Sequence, residues 1–479
     1  MCGINGFISK IDIKDAKLRI SNMNTSLAHR GPDADGEYIS ADGRIAMGQR
    51  RLAIVDLDAR SNQPFYLDGN TVIAFNGEIY NYLELRKNLK HTFKTQSDTE
   101  VLVAGIKYNG IEWIKKCNGM FAFCFLDKKS NQAVLARDRL GIKPLYYYCD
   151  KNIFVFSSEI KGILNSGLVK ASFNDDVIDE YLGNRYIREP YTFFKGIYQL
   201  PAGHYLTISA DMEIKIESYW ELPSEFNFDK EYNEDEIYSL FKEEVNNSIK
   251  RRMLADVTVG AYLSGGVDSS LIAAITSKYS EGSVNTYTIG FPELNEFEYA
   301  RLVADRYKTN HHEIVMDEVD YFKMMEEIIK YKDAPLGVPN EIPLAQMSQV
   351  LKRDITVVLS GEGADELLGG YGKIFRSPFD FVNVDKNKKD DFYSYFIEKY
   401  EYVPRSIRNK YLKCKYPLRK EFDDAIKADF SNKSNEENVF RFFYKYHVKG
   451  LLQRVDITTM YASVEARVPF LDHELVEYC

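Results

Sequence analysis

The spacing of apolar residues changes once along this chain of 479 residues, and the change constrains the fold more than any other feature. In roughly the first 165 residues, apolar runs such as "MFAFCFLD", "QAVLARD" and "IFVFSSE" follow one another across short turns, which is typical of antiparallel sheet. Beyond residue 236, apolar strands alternate with helical stretches of roughly ten or more residues, which favours a parallel doubly wound sheet. The chain is therefore predicted to contain two domains of different class.

The first domain, residues 1–220, is predicted to be an α+β structure in which helices cover antiparallel sheets. The segment "CGINGFI" indicates its first strand. The segment "TVIAFNGEI" indicates a strand that breaks at Asn76-Gly77, because this dipeptide accommodates positive φ angles. A helix is expected in "SDTEVLVAGIKY", with either Ser97 or Asp98 as its N-cap.

Residues 221–236 are polar, acidic and free of apolar periodicity, which predicts a linker. Residues 237–479 are predicted to form an α/β domain with a parallel doubly wound sheet. Its strands are expected in "VTVGAYL", "VNTYTIGF", "HHEIVM" and "ITVVLSG", which are separated by helices. Ligands of such a sheet bind at the carboxyl ends of its strands.

Composition excludes several classes of protein. The net charge of −9 disfavours a broad electrostatic contact with nucleic acid. No apolar run reaches the ~20 residues of a membrane helix, and the N-terminus lacks the pattern of a signal peptide. The six cysteines show neither CxxC pairs nor zinc-ligand spacing, which predicts a cytoplasmic protein with reduced thiols.

Cys2 directly follows the initiator Met. Cysteine is small enough for the preceding Met to be removed, so Cys2 is predicted to become the first residue of the mature chain. A thiol with a pKa of ~8.5 and an α-amino group with a pKa of ~7.7–8.0 would then lie on one residue. This combination is a nucleophile that carries its own base.

The segment "AYLSGGVDSS", residues 261–270, follows a strand and opens a helix. Its Ser-Gly-Gly turn leaves backbone N–H groups free for an anion, and the helix N-terminus adds a positive dipole. Asp268 and the two serines after it can supply a magnesium ligand and hydroxyl donors. The loop lacks the Walker lysine, so it is not the usual P-loop. The alternative is a tight turn that needs glycine for its backbone alone.

A second segment, "VVLSGEGADELLGGY", repeats the order of strand, Ser-Gly turn and helix. Both turns open on the same edge of a parallel sheet, so Asp268 and Asp365 can share Mg²⁺ bound to a nucleotide triphosphate. Glu362 can act as a general base or orient an amine. The alternative is that these acidic residues only cap a helix.

Ten short motifs occur in order along the chain: MCGI, RGPD, RLAIVD, NGEIYN, SDTE, GMFAF, RDRLGIKPLYY, LSGGVDSS, LSGEGADE and EARVPFLD. Together they resemble one family, the glutamine-dependent asparagine synthetases, over essentially the whole chain. The resemblance implies an N-terminal-nucleophile glutaminase, built as a four-layer sandwich with antiparallel sheets between helices. It also implies a following synthetase domain of the ATP-pyrophosphatase type.

For the glutaminase domain, the resemblance implies that Cys2 attacks the side-chain amide of glutamine. The Asn76 side chain and the Gly77 N–H would stabilise the oxyanion. Other residues would bind the α-carboxylate and the rest of the glutamine substrate. Arg51 would bind the α-carboxylate of glutamine. Glu78, Asp98 and again Asn76 would complete the glutamine site.

For the synthetase domain, the resemblance implies that ATP adenylates the side-chain carboxylate of aspartate, and that ammonia from the first site then forms asparagine, AMP and pyrophosphate. Mg²⁺ would be held by Asp268 and Asp365, and Glu362 would deprotonate the attacking ammonia. An ammonia tunnel and a homodimer are also implied. The implied ATP contacts are Leu263, Ser264, Gly265, Gly266, Asp268, Ser269, Ile289, Ser360 and Gly361.

The chain departs from the family in two places. Some asparagine synthetases carry Thr and Arg in the segment that matches residues 334–348, but here the segment contains no cation. The acceptor is therefore either aspartate, held by other residues, or a different carboxylate such as a surface-polysaccharide uronate. The chain also ends at Cys479, where family members usually continue, so a synthetase domain truncated at its C-terminus is expected. A lysine that faces the α-phosphate in the family has no match here.

Two further readings belong to other classes. A non-catalytic relative, kept for binding or assembly, is disfavoured because Cys2, Asn76 and Asp268 are all present. A ring-closing ligase related to the β-lactam synthetases needs no glutaminase, so Cys2 disfavours that reading too.

Overall fold

The computed structural model describes residues 2–209, 211–223, 233–383, 391–412, 420–430 and 433–479. Met1 and residues 224–232, which make up most of the predicted linker, lie outside the described residues. None of the described helices combines the length and the apolar character needed to cross a bilayer.

Antiparallel strands dominate the first half of the chain. In chain order they are β1 (Gly3–Ser9), β2 (Ala34–Ile39), β3 (Ile45–Arg51), β4 (Phe65–Tyr66), β5 (Thr71–Ile79), β6 (Gly119–Asp127), β7 (Gln132–Arg137), β8 (Tyr146–Cys149), β9 (Ile153–Ser157), β10 (Ile197–Gln199), β11 (His204–Ile208) and β12 (Ile214–Ser218). They form one sheet in the order β10-β8-β9-β1-β3-β2 and another in the order β12-β11-β7-β6-β5-β4.

Helices cover the outer faces of both sheets. They are α1 (Ala16–Ser26), α2 (Tyr82–Lys87), α3 (Asp98–Asn109) and α4 (Ile160–Asn165). A further helix, α5 (Ile178–Asn184), packs instead against Arg405–Leu412 of the second half. Ile20 of α1 and Ile163 of α4 pack in the core outside the first sheet, and Val103 of α3 packs outside the second. Ile4 and Leu135 belong to the core between the two sheets. These four layers confirm the predicted sandwich.

The prediction that β5 breaks at Asn76-Gly77 is wrong. The strand continues to Ile79, and Asn76 and Gly77 pair with Ala122 and Phe121 of β6. Gly77 is needed for close packing instead of a turn, because a Cβ there would lie 2.1 Å from the Met120 carbonyl oxygen.

The N-cap of α3 is Ser97. Its side chain accepts a hydrogen bond from the Thr99 N–H at 3.1 Å, which satisfies one of the free donors of the first turn. Asp98 is thereby left as the first residue of the helix, with its carboxylate free to turn toward β5.

The second half alternates strands and helices. Its strands are β13 (Val259–Tyr262), β14 (Asn285–Gly290), β15 (Asn310–Val315), β16 (Val357–Leu359) and β17 (Glu465–Arg467). Its helices are α6 (Glu234–Arg252), α7 (Val267–Tyr279), α8 (Phe297–Tyr307), α9 (Glu318–Lys332), α10 (Glu341–Leu351), α11 (Ala364–Leu368), α12 (Gly372–Phe375), α13 (Ser377–Val382), α14 (Phe392–Tyr400), α15 (Arg405–Leu412), α16 (Lys420–Asp429), α17 (Asn435–Phe442), α18 (Val448–Met460) and α19 (His473–Tyr478).

All neighbours in this second sheet are parallel, in the order β15-β14-β13-β16-β17. The chain builds outward from β13 to β15, then crosses to the other side of β13 and continues through β16 to β17. This order confirms the predicted doubly wound sheet, and its switch point lies between β13 and β16. A crevice for ligands is expected at the carboxyl ends of these two strands.

Candidate active sites

The Cys2 thiol lies at the start of β1, in the middle of the first sheet. Its backbone N–H donates to Asn76 Oδ1 at 2.9 Å, and its carbonyl accepts from Arg30 Nε at 3.1 Å. Only 7% of the residue is exposed. Burial raises the pKa of the thiol, so Cys2 is protonated at neutral pH and needs a base before it can attack.

The amide of Asn76 has one atom bonded to Cys2 and one atom available to a ligand. The residue is fully buried on β5, and its Oδ1 is committed to the Cys2 N–H. Its Nδ2 makes no hydrogen bond to any residue that the structure describes. A buried donor without a partner is costly unless a ligand completes it. This amide is therefore suited to stabilise an oxyanion formed next to Cys2.

Arg51 ends β3 and holds the loop that follows it. Its guanidinium donates to backbone carbonyls within residues 55–58 and to Asn62 Oδ1, the latter at 2.8 Å. Its charge opposes the effect of burial on the Cys2 thiol, which places it near the nucleophile. A glutamine carboxylate is expected to bind this guanidinium, whose charge acts on the Cys2 thiol.

Three buried carboxylates surround the opposite side of this site. Asp98 Oδ2 accepts the Ile79 N–H at 2.9 Å, and burial raises the pKa of Asp98 to about 6. Burial, with Asp98 and Glu465 nearby, also raises the pKa of Glu78. Arg467 approaches Glu78 at 3.8 Å but is bonded to Glu465 at 2.6 Å. These carboxyl groups can bind a cationic ligand such as an α-ammonium, whose charge would favour their ionised form.

The loop after β13 has the form expected of an anion cradle. Ser269 Oγ accepts the Ser264 N–H at 3.1 Å and lies 3.0 Å from Ser264 Oγ, which closes the turn. Gly265 has a φ of 80°, and a Cβ there would lie 2.5 Å from Tyr299 Cβ, so only glycine fits. No described side chain caps α7, which starts after Gly266. The N–H groups of its first turn can therefore meet phosphate oxygens.

The loop after β16 lies directly against this cradle. A Cβ on Gly361 would lie 3.3 Å from Asp268 Cβ. The backbone N–H of Ser360 donates to the Arg467 carbonyl at 2.9 Å, which fixes the loop to β17. The structure thus brings together the two loops that the sequence predicted to act as one site.

Asp268 and Asp365 are electrostatic neighbours across these loops. Burial raises the pKa of Asp268, and the charge of Asp365 adds to the effect. Gly370 makes room for Asp365, since a Cβ at that position would lie 1.8 Å from Oδ1. Among the described residues, no group of three His, Cys, Asp or Glu can hold a metal alone. Two carboxylates fit Mg²⁺ when triphosphate oxygens supply further ligands.

Leu263 and Ile289 lie near the carboxyl ends of neighbouring strands. Leu263 follows β13, is 1% exposed, and donates its N–H to the Tyr287 carbonyl at 2.9 Å. Ile289 precedes the last residue of β14 and pairs with Ile314. Both lie at the edge of the sheet where the ligands of a doubly wound fold bind.

Glu362 faces a cavity of about 670 Å³ between the two halves of the chain. Its carboxylate accepts from Arg454 Nη2 at 3.0 and 3.2 Å. The cavity extends from Arg30, which is bonded to the Cys2 carbonyl, to Glu362 and Asp365 beside the nucleotide loops. Sequence reasoning missed Arg454, because it lies on α18 outside every motif.

Buried ion pairs join the two halves around this cavity. Arg30 of the RGPD motif is fully buried and donates to Glu159 at 2.8 Å and to Asp456 at 2.9 Å. Asp472 of the EARVPFLD motif accepts from Asn118 Nδ2 at 3.1 Å. Burial opposes ionisation of Asp472, but the nearby guanidinium groups prevail and lower its pKa to about 2. Two motifs without an assigned chemical role thus build the domain interface.

A four-layer sandwich with a buried thiol at the second residue, facing a doubly wound domain with a phosphate cradle, defines a glutamine amidotransferase joined to a nucleotide-dependent ligase. Residues 1–220 match the sequence profile of the glutamine amidotransferase domain, and residues 240–479 match that of asparagine synthase. The chain belongs to the asparagine synthase family.

Three relatives illustrate the range of this likeness. The glutamine-hydrolyzing asparagine synthetase 3 of Bacillus subtilis is 33% identical over 100% of this chain and 80% of its own length. The glutamine-hydrolyzing asparagine synthetase 1 of the same organism is 31% identical over 98% and 79%. "Amidase chry2" of Gibberella zeae is 34% identical over 78% of this chain and 59% of its own length.

Proposed function

We propose that this chain is a glutamine-dependent asparagine synthetase, with a glutaminase domain at 1–220, a linker at 221–236 and a synthetase domain at 237–479. The observation that carries the proposal is the cavity between the halves. It begins at Arg30, beside the Cys2 backbone, and ends at Glu362 and Asp365, beside the nucleotide loops. Such a space suits the passage of ammonia from one site to the other.

In the glutaminase half, removal of Met1 gives Cys2 a free α-amino group. This amine takes the thiol proton, which the raised pKa of Cys2 makes necessary. The sulfur attacks the side-chain amide carbon of glutamine, and Asn76 Nδ2 and the Gly77 N–H receive the oxyanion. The amine then returns its proton to the departing ammonia, and water hydrolyses the thioester to glutamate. Arg51 binds the substrate carboxylate, and Glu78 and Asp98 bind its ammonium.

In the synthetase half, the loops after β13 and β16 bind the triphosphate of ATP. Gly265 and Gly361 offer backbone N–H groups to it, Ser264, Ser269 and Ser360 offer hydroxyls, and Gly266 leads into the first turn of α7. Leu263 and Ile289 would lie beneath the nucleoside. Asp268 and Asp365 would hold Mg²⁺, which neutralises the charge that builds on pyrophosphate.

The acceptor chemistry follows from this arrangement. A carboxylate oxygen of aspartate attacks the α-phosphorus, and the bond to pyrophosphate breaks. Ammonia then attacks the acyl carbon and AMP leaves. Glu362, held by Arg454 at the cavity wall, accepts the proton that the nitrogen loses. Since ATP and glutamine are the substrates, we assign the reaction to the cytoplasm. A homodimer remains a prediction from the family resemblance.

A second candidate is the same chemistry on a larger carboxylate, such as a uronate sugar of a surface polysaccharide. The size of the cavity favours it, since 670 Å³ exceeds the needs of one amino acid. Tyr181, Tyr331, Tyr371 and Tyr402 line the same space and offer ring faces of the kind that pack against sugars.

The experiment measures pyrophosphate release with Mg-ATP and ammonium, with and without aspartate. Aspartate-dependent release and the appearance of asparagine are expected. The Cys2→Ala variant should lose glutamine-dependent synthesis by on the order of 10⁴-fold or more, because its nucleophile is gone. Its ammonium-dependent synthesis should match the wild type. Glutaminase activity without aspartate-dependent release would favour the larger acceptor, and release from uronates would establish it.

A further inference from the structure

Arg185 is the cation of the interdomain cavity that the proposed chemistry does not use. The four other arginine and lysine residues that line this cavity each pair with a carboxylate. The pairs are Arg30 with Glu159, Arg137 with Glu189, Lys332 with Glu341, and Arg454 with Glu362. The guanidinium of Arg185 makes no hydrogen bond or ion pair to any residue that the structure describes. It lies over the ring of Tyr402, 5.0 Å from the ring centre.

The backbone places Arg185 against the segment that was expected to contact the acceptor. That segment, residues 334–348, contains no cation of its own. Gly337 within it packs on Arg185, since a Cβ at Gly337 would lie 2.6 Å from the Arg185 carbonyl oxygen. The neighbouring Tyr181 hydroxyl donates to the Pro335 carbonyl at 2.7 Å. The first domain thus supplies a positive charge beside a segment that has none of its own.

Arg185 adopts a backbone conformation that is uncommon for residues other than glycine. It ends α5 with a φ of 70°, a left-handed conformation in which glycine is the usual residue. An arginine in this position adds strain without adding any polar partner within the described chain. Strained residues of this kind tend to occur where a ligand binds.

Arg185 also shares its surroundings with the catalytic end of the cavity. Burial lowers the pKa of His447 to about 3, and the charges of Arg185 and Arg454 add to this effect. Arg454 is in turn bonded to Glu362. Arg185 and Arg454 therefore both act on His447 and line the same cavity as Glu362.

We propose that Arg185 binds a second carboxylate of the acceptor, so that the acceptor is an amino dicarboxylate held by residues of both domains. This inference rests on the proposed function and identifies a residue that selects its substrate. The carboxylate that reacts points toward Glu362 and the nucleotide loops, and the other one meets the guanidinium of Arg185. A planar guanidinium suits a carboxylate because it can donate two parallel hydrogen bonds.

The test compares two ligands that differ by the carboxylate in question. β-Alanine is aspartate without its α-carboxylate, and it keeps the carboxylate that reacts. Calorimetry on the full chain, with Mg²⁺ and a non-hydrolysable ATP analogue, gives the Kd of each ligand. Arg185→Gln should weaken aspartate binding by about tenfold to a hundredfold and change β-alanine binding less than about twofold. Arg185→Lys should fall between wild type and Arg185→Gln for aspartate.

Arg306→Gln is the matched control. Arg306 also lies over a tyrosine ring, that of Tyr307 at 5.9 Å, but it is not among the residues that line the cavity. Its Kd for aspartate should equal the wild-type value. The melting temperature of each variant shows whether the substitution disturbs the fold.

Each outcome decides the inference. Equal weakening of aspartate and β-alanine in Arg185→Gln, or no weakening of either, overturns it. A wild-type chain that binds no aspartate overturns it together with the proposed acceptor. A chain that shows the expected discrimination but makes no asparagine refutes the proposed function alone. A chain that makes asparagine equally well with Arg185→Gln refutes only the inference.

Discussion

The glutamine site and the nucleotide site hold their polar groups in opposite ways. Cys2, Asn76 and Glu78 lie at or within sheet strands, and none is more than 7% exposed. Ser264 and Gly266 lie in a turn beyond the end of a strand and are exposed. The oxyanion of amide cleavage is small and short-lived, so its donors must be in place beforehand. A triphosphate brings its own charge and metal, and open backbone N–H groups suffice to receive it.

The largest effect is expected when one preorganised donor is removed from the glutamine site. Asn76→Asp keeps an oxygen for the Cys2 N–H and replaces the free Nδ2 with a second oxygen. We expect kcat for glutamine hydrolysis to fall by about 10²–10³-fold, as for the loss of one oxyanion donor elsewhere. The measurement is glutamate release at saturating glutamine, with ammonium-dependent synthesis as the unaffected control. A loss of less than about tenfold would show that Nδ2 does not face the oxyanion.

At the nucleotide site, Asp268→Asn tests whether pyrophosphate release at the exposed loop depends on bound Mg²⁺. The substitution removes one of the two carboxylates expected to hold Mg²⁺, so pyrophosphate release should fall by at least about 10²-fold. Excess Mg²⁺ should restore part of the rate, because the loop backbone is unchanged. Glutaminase activity should stay within about twofold of wild type. Asp305→Asn, on the exposed face of α8, is the control. A loss that no Mg²⁺ concentration relieves would contradict a metal role.

The smallest expected effect is the pH dependence of glutamine binding at the buried site. Burial raises the pKa of Asp98 to about 6, so the carboxyl becomes neutral below that pH and no longer attracts an ammonium. Glutamine binding to the Cys2→Ala variant should weaken by about fivefold between pH 6 and pH 5, and level off above about pH 7. Calorimetry at each pH measures this directly. A constant Kd over that range would exclude Asp98 from the ammonium site.

The features that depend on local residue patterns were predicted from the sequence. Strand spacing gave both sheets and the helical layers over them, and the Ser-Gly turns led to the two loops that meet at Asp268 and Gly361. The expected break in β5 was wrong for a physical reason. Gly77 is required because the neighbouring strand leaves no space for a Cβ at this position. The residue pattern of one strand does not reveal a contact with another strand.

The residues that sequence reasoning missed depend on how the halves pack. Arg185 ends a short helix of the first domain, and Arg454 lies on a long helix of the second. Neither belongs to a motif, and only the assembled cavity brings both to one space. The raised pKa of the Cys2 thiol is likewise a product of burial, which no spacing of residues predicts.

The volume of the interdomain cavity can also be expressed as a concentration. One molecule in a volume of about 670 Å³ corresponds to about 2.5 M, far above the level of free ammonia in an ordinary neutral solution. Most ammonia in such a solution is protonated and cannot attack a carbonyl carbon. Ammonia released into this cavity, which is open on part of its surface, is therefore locally concentrated at the moment of transfer. Escape of ammonia from the cavity would show first as glutamine consumed without product, while ATP binding stayed intact.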